Sequence, residues 1–289
     1  MKIDILDTTP DMLGESPLWD AQSQRLFWVD VVNSTVRALD PATGKEQAWT
    51  APSHIGSIGL APNDSLILAL QDGFYRLHLP SSAIELIARL PTVDPRARLN
   101  DGKMDRQGRY ICGSMGLHAD PIGVLYRLTA PAALEPLADG IRISNAICFS
   151  PKGDRLYFAD SMAQAIVVRD YDGDGTAVGE PRLFLDIKPL NSAPDGATVD
   201  SDGNLWVALV RTGQIARVAP DGKVAAIIDL PVDYPSCPAF GGANMDTLFV
   251  TSIRDSGTGR MVSKHENAGK VFALTGLGVT GLPETRFQD

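Results

Sequence analysis

Six stretches of the chain share one pattern. Each opens on a lead residue, passes through small or apolar residues into a Pro-, Asp- or Gly-rich turn, and continues as a β-rich run. Glu15 leads to residues 25–30 (RLFWVD), Asn100 to 109–114 (RYICGS) and Asn145 to 155–160 (RLYFAD). Asp195 leads to 204–209 (NLWVAL), and Cys237 to 247–252 (TLFVTS). A weaker copy leads from Ile55 to 65–70 (SLILAL). The lead residues are spaced by 40, 45, 45, 50 and 42 positions, so six copies fill the 289 residues.

Each copy continues in the same way, with an alternating stretch closed by a turn. Thr35 to Gly44 leads to Trp49, Gly123 to Leu128 leads to Leu134, and Gly213 to Gly222 leads to Val224. Period-2 alternation bounded by Pro and Asp-Gly turns specifies short antiparallel strands. Helical periodicity of useful length is absent. Four strands in each unit of this length, six times over, predict an all-β fold, a six-bladed β-propeller of four-stranded antiparallel blades. It is expected to form one domain over residues 1–289, with the first strand, Lys2 to Leu6, joining the last blade. A β-sandwich would not repeat at this period, and leucine-rich repeats are shorter. Residues 255–270 form the longest turn-rich insertion, expected as a surface loop that could gate a site.

In such a ring the innermost strands line one channel, so equivalent positions converge although they are far apart in sequence. Four of the six lead residues are polar: Glu15, Asn100, Asn145 and Asp195. Two carboxylates and two amide oxygens around one axis suit a hard divalent cation such as Ca²⁺, Mg²⁺ or Mn²⁺. Zinc is less natural without converging His or Cys. Turn formation is the competing explanation. It accounts for Asn100-Asp101-Gly102 and for Asp195-Gly196, but poorly for Glu15 or for Asn145 followed by Ala146. Arg98 lies two positions before Asn100, on the same strand face. It could donate to substrate oxygens, or pair with Asp94 or Asp101.

Other chemistries find little support. Asp170 to Gly175 begins like an EF-hand calcium loop, but its twelfth position is Pro181 and its flanks are β-like, which fits a hairpin turn better. Four histidines (His54, His78, His118 and His265) and no Gly-x-Ser-x-Gly elbow leave Ser16 and Ser144 without an evident partner base. No Gly-rich loop joins a strand to a helix, so a nucleotide cradle is excluded. The net charge of −9 without a Lys/Arg run argues against nucleic acid or anionic membrane as partners. No apolar run approaches the roughly 20 residues of a membrane-spanning helix. The acidic start of the chain does not resemble an export signal. Cys112, Cys148 and Cys237 have no metal or redox spacing and read as buried thiols, so a cytoplasmic protein is expected.

The lead residues also carry a resemblance. Gly14 to Trp19 (GESPLW), Arg98 to Lys103 (RLNDGK), Ile143-Ser144-Asn145 followed by Phe149-Ser150-Pro151, Pro194-Asp195-Gly196 and Cys237 to Gly242 (CPAFGG) resemble the SMP-30/gluconolactonase family. That family includes regucalcin and bacterial sugar-acid lactonases, and the likeness runs from about Leu13 to Val250. It implies a six-bladed propeller, agreeing with the repeat count. It further implies that Glu15, Asn145 and Asp195 hold a divalent metal, one of Ca²⁺, Zn²⁺, Mn²⁺, Mg²⁺ or Fe²⁺. Arg98 and Asn100 would hold the substrate, a small sugar lactone, and Asp195 would also be the general base. Two departures stand out. Ala146 follows Asn145 where the family often has Gly, and His118 stands where regucalcin-like members carry a sugar-contacting glutamate. The second makes His118 a candidate specificity residue. The activity implied is metal-dependent opening of an aldonolactone to its open-chain acid. Hydrolysis of another ester or an organophosphate, and a non-catalytic calcium- or partner-binding propeller, are the alternatives. The oligomeric state is open, and a monomer is compatible with the sequence.

Overall fold

The computed structural model describes residues 1–171 and 178–288. Residues 172–177, on which the calcium-loop pattern falls, lie outside the described residues. After β1 (Lys2–Ile5), the first blade comprises β2 (Gly14–Asp20), β3 (Arg25–Asp30), β4 (Thr35–Asp40) and β5 (Lys45–Thr50). The second comprises β6 (Ser57–Ala61), β7 (Ser65–Ala69), β8 (Gly73–His78) and β9 (Ala83–Arg89). The third comprises β10 (Ala97–Met104), β11 (Tyr110–Gly116), β12 (Gly123–Thr129) and β13 (Ala133–Ile141). The fourth comprises β14 (Ser144–Phe149), β15 (Arg155–Asp160), β16 (Ala165–Asp170) and β17 (Arg182–Asp186). The fifth comprises β18 (Pro194–Val199), β19 (Leu205–Leu209), β20 (Gln214–Val218) and β21 (Val224–Asp229). The last has β22 (Pro235–Gly241), β23 (Thr247–Ser252) and β24 (Phe272–Thr275), with β1 added antiparallel to β24 as its outermost strand. The result is the six-bladed propeller, closed by the first strand. No helix among the described residues is long and apolar enough to cross a membrane.

The core is divided among the seams between blades. In β3, Leu26 and Trp28 pack with Phe249 of the last blade, while Phe27 and Val29 pack with Ile58 and Leu66 of the second. Alternate side chains of one strand therefore serve two seams. This is why the second run of each copy reads as almost continuously apolar rather than half polar. The three cysteines are buried and free, and burial pushes the Cys112 thiol up to about 12.

The inner strands β2, β6, β10, β14, β18 and β22 pack against one another around the axis. In five of them the ladder slips at the lead residue: between Glu15 and Leu18, Leu99 and Gly102, Asn145 and Cys148, Pro194 and Ala197, and Pro235 and Pro238. A β-bulge re-aims a side chain that a regular ladder would commit to one face. The strand without this slip is β6, which belongs to the weaker copy. Ser16 and Ala146 follow their lead residues in the left-handed region, at φ 51 and 54. That conformation is costly for a residue with a Cβ, by about 1–2 kcal/mol.

At the other end of the channel the last residues cross the propeller. Phe287 donates its N–H to Leu60 O (2.8 Å) and buries its ring, and Gln288 N–H bonds Gly108 O (3.0 Å). Glu284 enters the channel and pairs with Lys103.

Gly196 does not sit in a turn. A Cβ there would lie 2.2 Å from Cys237 Sγ in the next inner strand. Gly196→Ala is expected to lower stability by about 1–3 kcal/mol through overpacking, read as a fall in Tm on thermal unfolding. An unchanged Tm would contradict this packing.

Candidate active site

The bulged ends of the inner strands open into a cavity of about 360 Å³, within the range of small-molecule sites. Glu15, Arg98, Asn100, Asn145 and Asp195 all line it. Asp195 and Asn145 are buried, whereas Glu15, Arg98 and Asn100 are half-buried. The fold therefore gathers on one wall five residues drawn from four blades.

A directional hydrogen-bond chain fixes the amides. Arg98 Nη1 donates to Asn100 Oδ1 (2.6 Å) and Leu99 O (3.0 Å). Asn100 Nδ2 donates to Asn145 Oδ1 (2.9 Å) and Ser144 O (2.8 Å). Asn145 Nδ2 donates to Ser161 Oγ (2.8 Å), and Ser161 Oγ donates to Pro194 O (2.7 Å), beside Asp195. Both Nδ2 protons of Asn100 are thus committed, which leaves it only acceptor capacity toward a ligand. Asn145 is held so that its Oδ1 has a lone pair to spare.

The carboxylates are differently placed. Glu15 accepts one long bond, from Ser16 N–H at 3.4 Å, and no donor among the described residues reaches Asp195. Burial, and then the charge of Asp101, pushes Asp195 up to about 8, opposed by Arg98. Burial, and then the Asp195 and Asp101 carboxylates, pushes Glu15 well above its ordinary value. Asp101 is itself pushed up to about 7 by burial, against the pull of the Ile147 N–H it accepts at 2.9 Å. Two repelling carboxylates and an oriented amide oxygen, short of donors and aimed into one cavity, form an all-oxygen set that a divalent cation would satisfy. No three His, Cys, Asp or Glu side chains converge as a metal cluster among the described residues, so any such site depends on the Asn145 amide.

His118 is placed apart from these five residues. It is exposed and absent from the cavity lining, where Met115, the next-to-last residue of β11, stands instead. The chain turns immediately after β11: Leu117 N–H bonds Arg96 O (2.7 Å) and Ala119 N–H bonds Gly116 O (2.9 Å). The insertion after β23 does reach the site, through Ser256, Thr258, Arg260 and Met261. Ser161, Met162, Val210 and Arg211 were not anticipated. Their common signal is position. Each directly follows the second β-run of a copy, where an antiparallel pair returns the chain to the end it started from.

A model of the SMP-30/Gluconolactonase/LRE-like region matches residues 13–254. The chain belongs to this family. Regucalcin of Gallus gallus is 31% identical over 294 residues, covering 99% of this chain and 98% of its own. The 6-deoxy-6-sulfogluconolactonase of Pseudomonas putida is 32% identical over 279 residues, covering 96% of each chain. Among solved structures, the calcium-binding protein regucalcin of Agrobacterium tumefaciens superposes with a TM-score of 0.92 at 28% identity, covering 99% of this chain and 97% of its own. The family likeness thus spans every blade, the bulged strands included.

The raised carboxyls make a signed prediction. Asp195 holds a proton in the folded chain up to about pH 8 but releases it near its ordinary value of 3.8 when unfolded. Without a cation, the stability it contributes is present at low pH and lost as pH rises between those values. Chelator-treated protein should therefore lose Tm as pH is raised from about 5 to 8, and Asp195→Asn should flatten that decline. A Tm that rises across this interval would contradict the arrangement.

Proposed function

We propose that the protein is a lactonase that opens a sugar-acid lactone to its open-chain acid with the help of one divalent cation. The observation that carries this is the convergence of Glu15, Asn145 and Asp195 with Arg98 and Asn100 in one cavity. Relatives named as a sulfogluconolactonase and a putative sugar lactone lactonase support the reaction class. The donor set favours Ca²⁺, Mg²⁺ or Mn²⁺ over zinc. A regucalcin described as calcium-binding is consistent with that preference. Three free, buried thiols fit a cytoplasmic location.

Glu15, Asn145 and Asp195 would hold the cation, which when bound supplies Lewis acidity toward the lactone carbonyl. Asp195, which no donor among the described residues reaches and which a bound cation would keep ionised, takes a proton from the attacking water as general base. Arg98 keeps N–H groups free beyond its bonds to Asn100 and Leu99 and donates to ring oxygens of the substrate. Asn100 accepts from a ring hydroxyl through Oδ1 and, through Nδ2, fixes Asn145. Ser161 holds the far side of that amide. The apolar walls, Leu13, Met115, Ile143 and Ile253 among them, limit water around the reacting ester. Addition of water to the carbonyl and cleavage of the ring C–O bond yield one carboxylic acid and one hydroxyl, with the proton taken by Asp195 delivered to the leaving oxygen.

Acid release can be followed with a pH indicator over a panel of aldonolactones. At least one should be hydrolysed faster than it opens spontaneously, with loss of rate on chelation and recovery on adding a divalent cation. Asp195→Asn should lower kcat by about 10²- to 10⁴-fold. Turnover indifferent to both the chelator and the substitution would overturn the mechanism.

A further inference from the structure

The same cavity has a second charged feature that ester hydrolysis does not require. Besides Arg98, its lining includes Arg211 and Arg260. Arg211 follows β19, its backbone N–H fixed by Ser192 Oγ at 3.0 Å. Arg260 stands in the tight loop after β23, closed by the bond from Ser256 N–H to Met261 O (2.9 Å) and by the antiparallel bridge of Asp255 with Val262. Both are exposed, whereas Asn145 and Asp195 are buried and Glu15 half-buried, so the arginines mark the outer side of the cavity and Asp195 and Asn145 its depth.

The charge around them is unbalanced. The chain carries a net −9, yet three guanidinium groups line this cavity against two carboxylates, Glu15 and Asp195. Neither the Arg211 nor the Arg260 side chain pairs with a carboxylate among the described residues. If a divalent cation occupies Glu15 and Asp195, no acidic side chain in the lining remains to offset the arginines. A cleft lined by one sign of charge concentrates ligands of the opposite sign, and guanidinium groups suit phosphate-like and carboxylate anions. Ser256 and Thr258, whose hydroxyls are 2.8 Å apart, offer further donors on the same loop.

We propose that Arg211 and Arg260 bind an anionic substituent of the substrate, a phosphate, sulfonate or carboxylate at the end of the sugar acid remote from the lactone carbonyl. The inference rests on the lactonase reading and deepens it: the preferred substrate is a charged lactone rather than a neutral one.

The test compares kcat/KM for a neutral hexonolactone with the same lactone carrying a terminal phosphate, sulfonate or carboxylate. At least one anionic lactone should be favoured by about tenfold or more at low salt, mainly through KM, with the advantage shrinking as ionic strength rises. Arg211→Ala and Arg260→Ala should each reduce the ratio of anionic to neutral kcat/KM several-fold, and Arg260→Lys should reduce it less than Arg260→Ala. The rank order of the three anions identifies the group. Equal use of neutral and anionic lactones, or a ratio unmoved by both substitutions, would overturn the inference while leaving the lactonase reading intact. If no lactone is turned over, the lactonase reading fails, and calorimetric binding of the matching open-chain acids decides the inference separately. Tighter binding of the doubly anionic acid that is lost in the Arg211→Ala/Arg260→Ala double variant supports it; binding independent of those residues overturns it.

Discussion

The six inner strands are pressed so closely around one axis that a single added methyl at Gly196 would fall within 2.2 Å of the neighbouring strand. The polar lead residues stand toward the end of their inner strands that opens into the cavity. In five of the six strands that end is a bulge, with the lead side chain beside it. The bulges free the lead residues from the seams, and the ring brings them together. Close packing of the inner strands and the chemistry of the cavity are therefore one constraint: the spacing that makes the seams also sets the distances between functional groups.

The electrostatic consequence is a graded cavity. At depth, burial raises the proton affinity of both Glu15 and Asp195, Asp195 adds to that of Glu15 and Asp101 to that of both, and among the described residues only one long bond, from Ser16 N–H to Glu15, reaches either carboxylate. Asn100 and Asn145, by contrast, are fixed between Arg98, Ser161 and two backbone carbonyls. The amides are preorganised, while the carboxylates are left for a ligand. Arg211 and Arg260 lie at the outer side, unpaired with any carboxylate among the described residues. A substrate whose ester meets the deep end and whose charge meets the outer end would be oriented by both.

Much of this was legible in the sequence because a repeat converts sequence spacing into spatial coincidence. The spacing of Glu15, Asn100, Asn145 and Asp195 was enough to place them on equivalent strands. The alternation of each copy specified four strands per blade. Less legible was whatever depends on how the chain turns after a strand. His118 lies only three residues beyond Met115, yet the turn following Gly116 leaves it exposed while Met115 lines the cavity. Asn100 read as a residue that holds the substrate, but its amide protons are spent on Asn145 and Ser144, a commitment made across blades that leaves only its oxygen for a ligand. Gly196 looked like a turn former and is instead a contact point between strands. The closing tail, with Phe287 buried and Glu284 paired to Lys103, follows the last copy and carries no repeat signal.

The proposed mechanism depends on Glu15, Asn145 and Asp195 together forming the cation site of the cavity. Anomalous diffraction from crystals grown with Mn²⁺, collected at the manganese edge, tests it directly. An anomalous peak should stand within direct coordination distance of all three side chains and be lost in crystals of the Glu15→Gln/Asp195→Asn double variant. Absence of density at that position in crystals saturated with the ion, or a peak there that survives both substitutions, would contradict it.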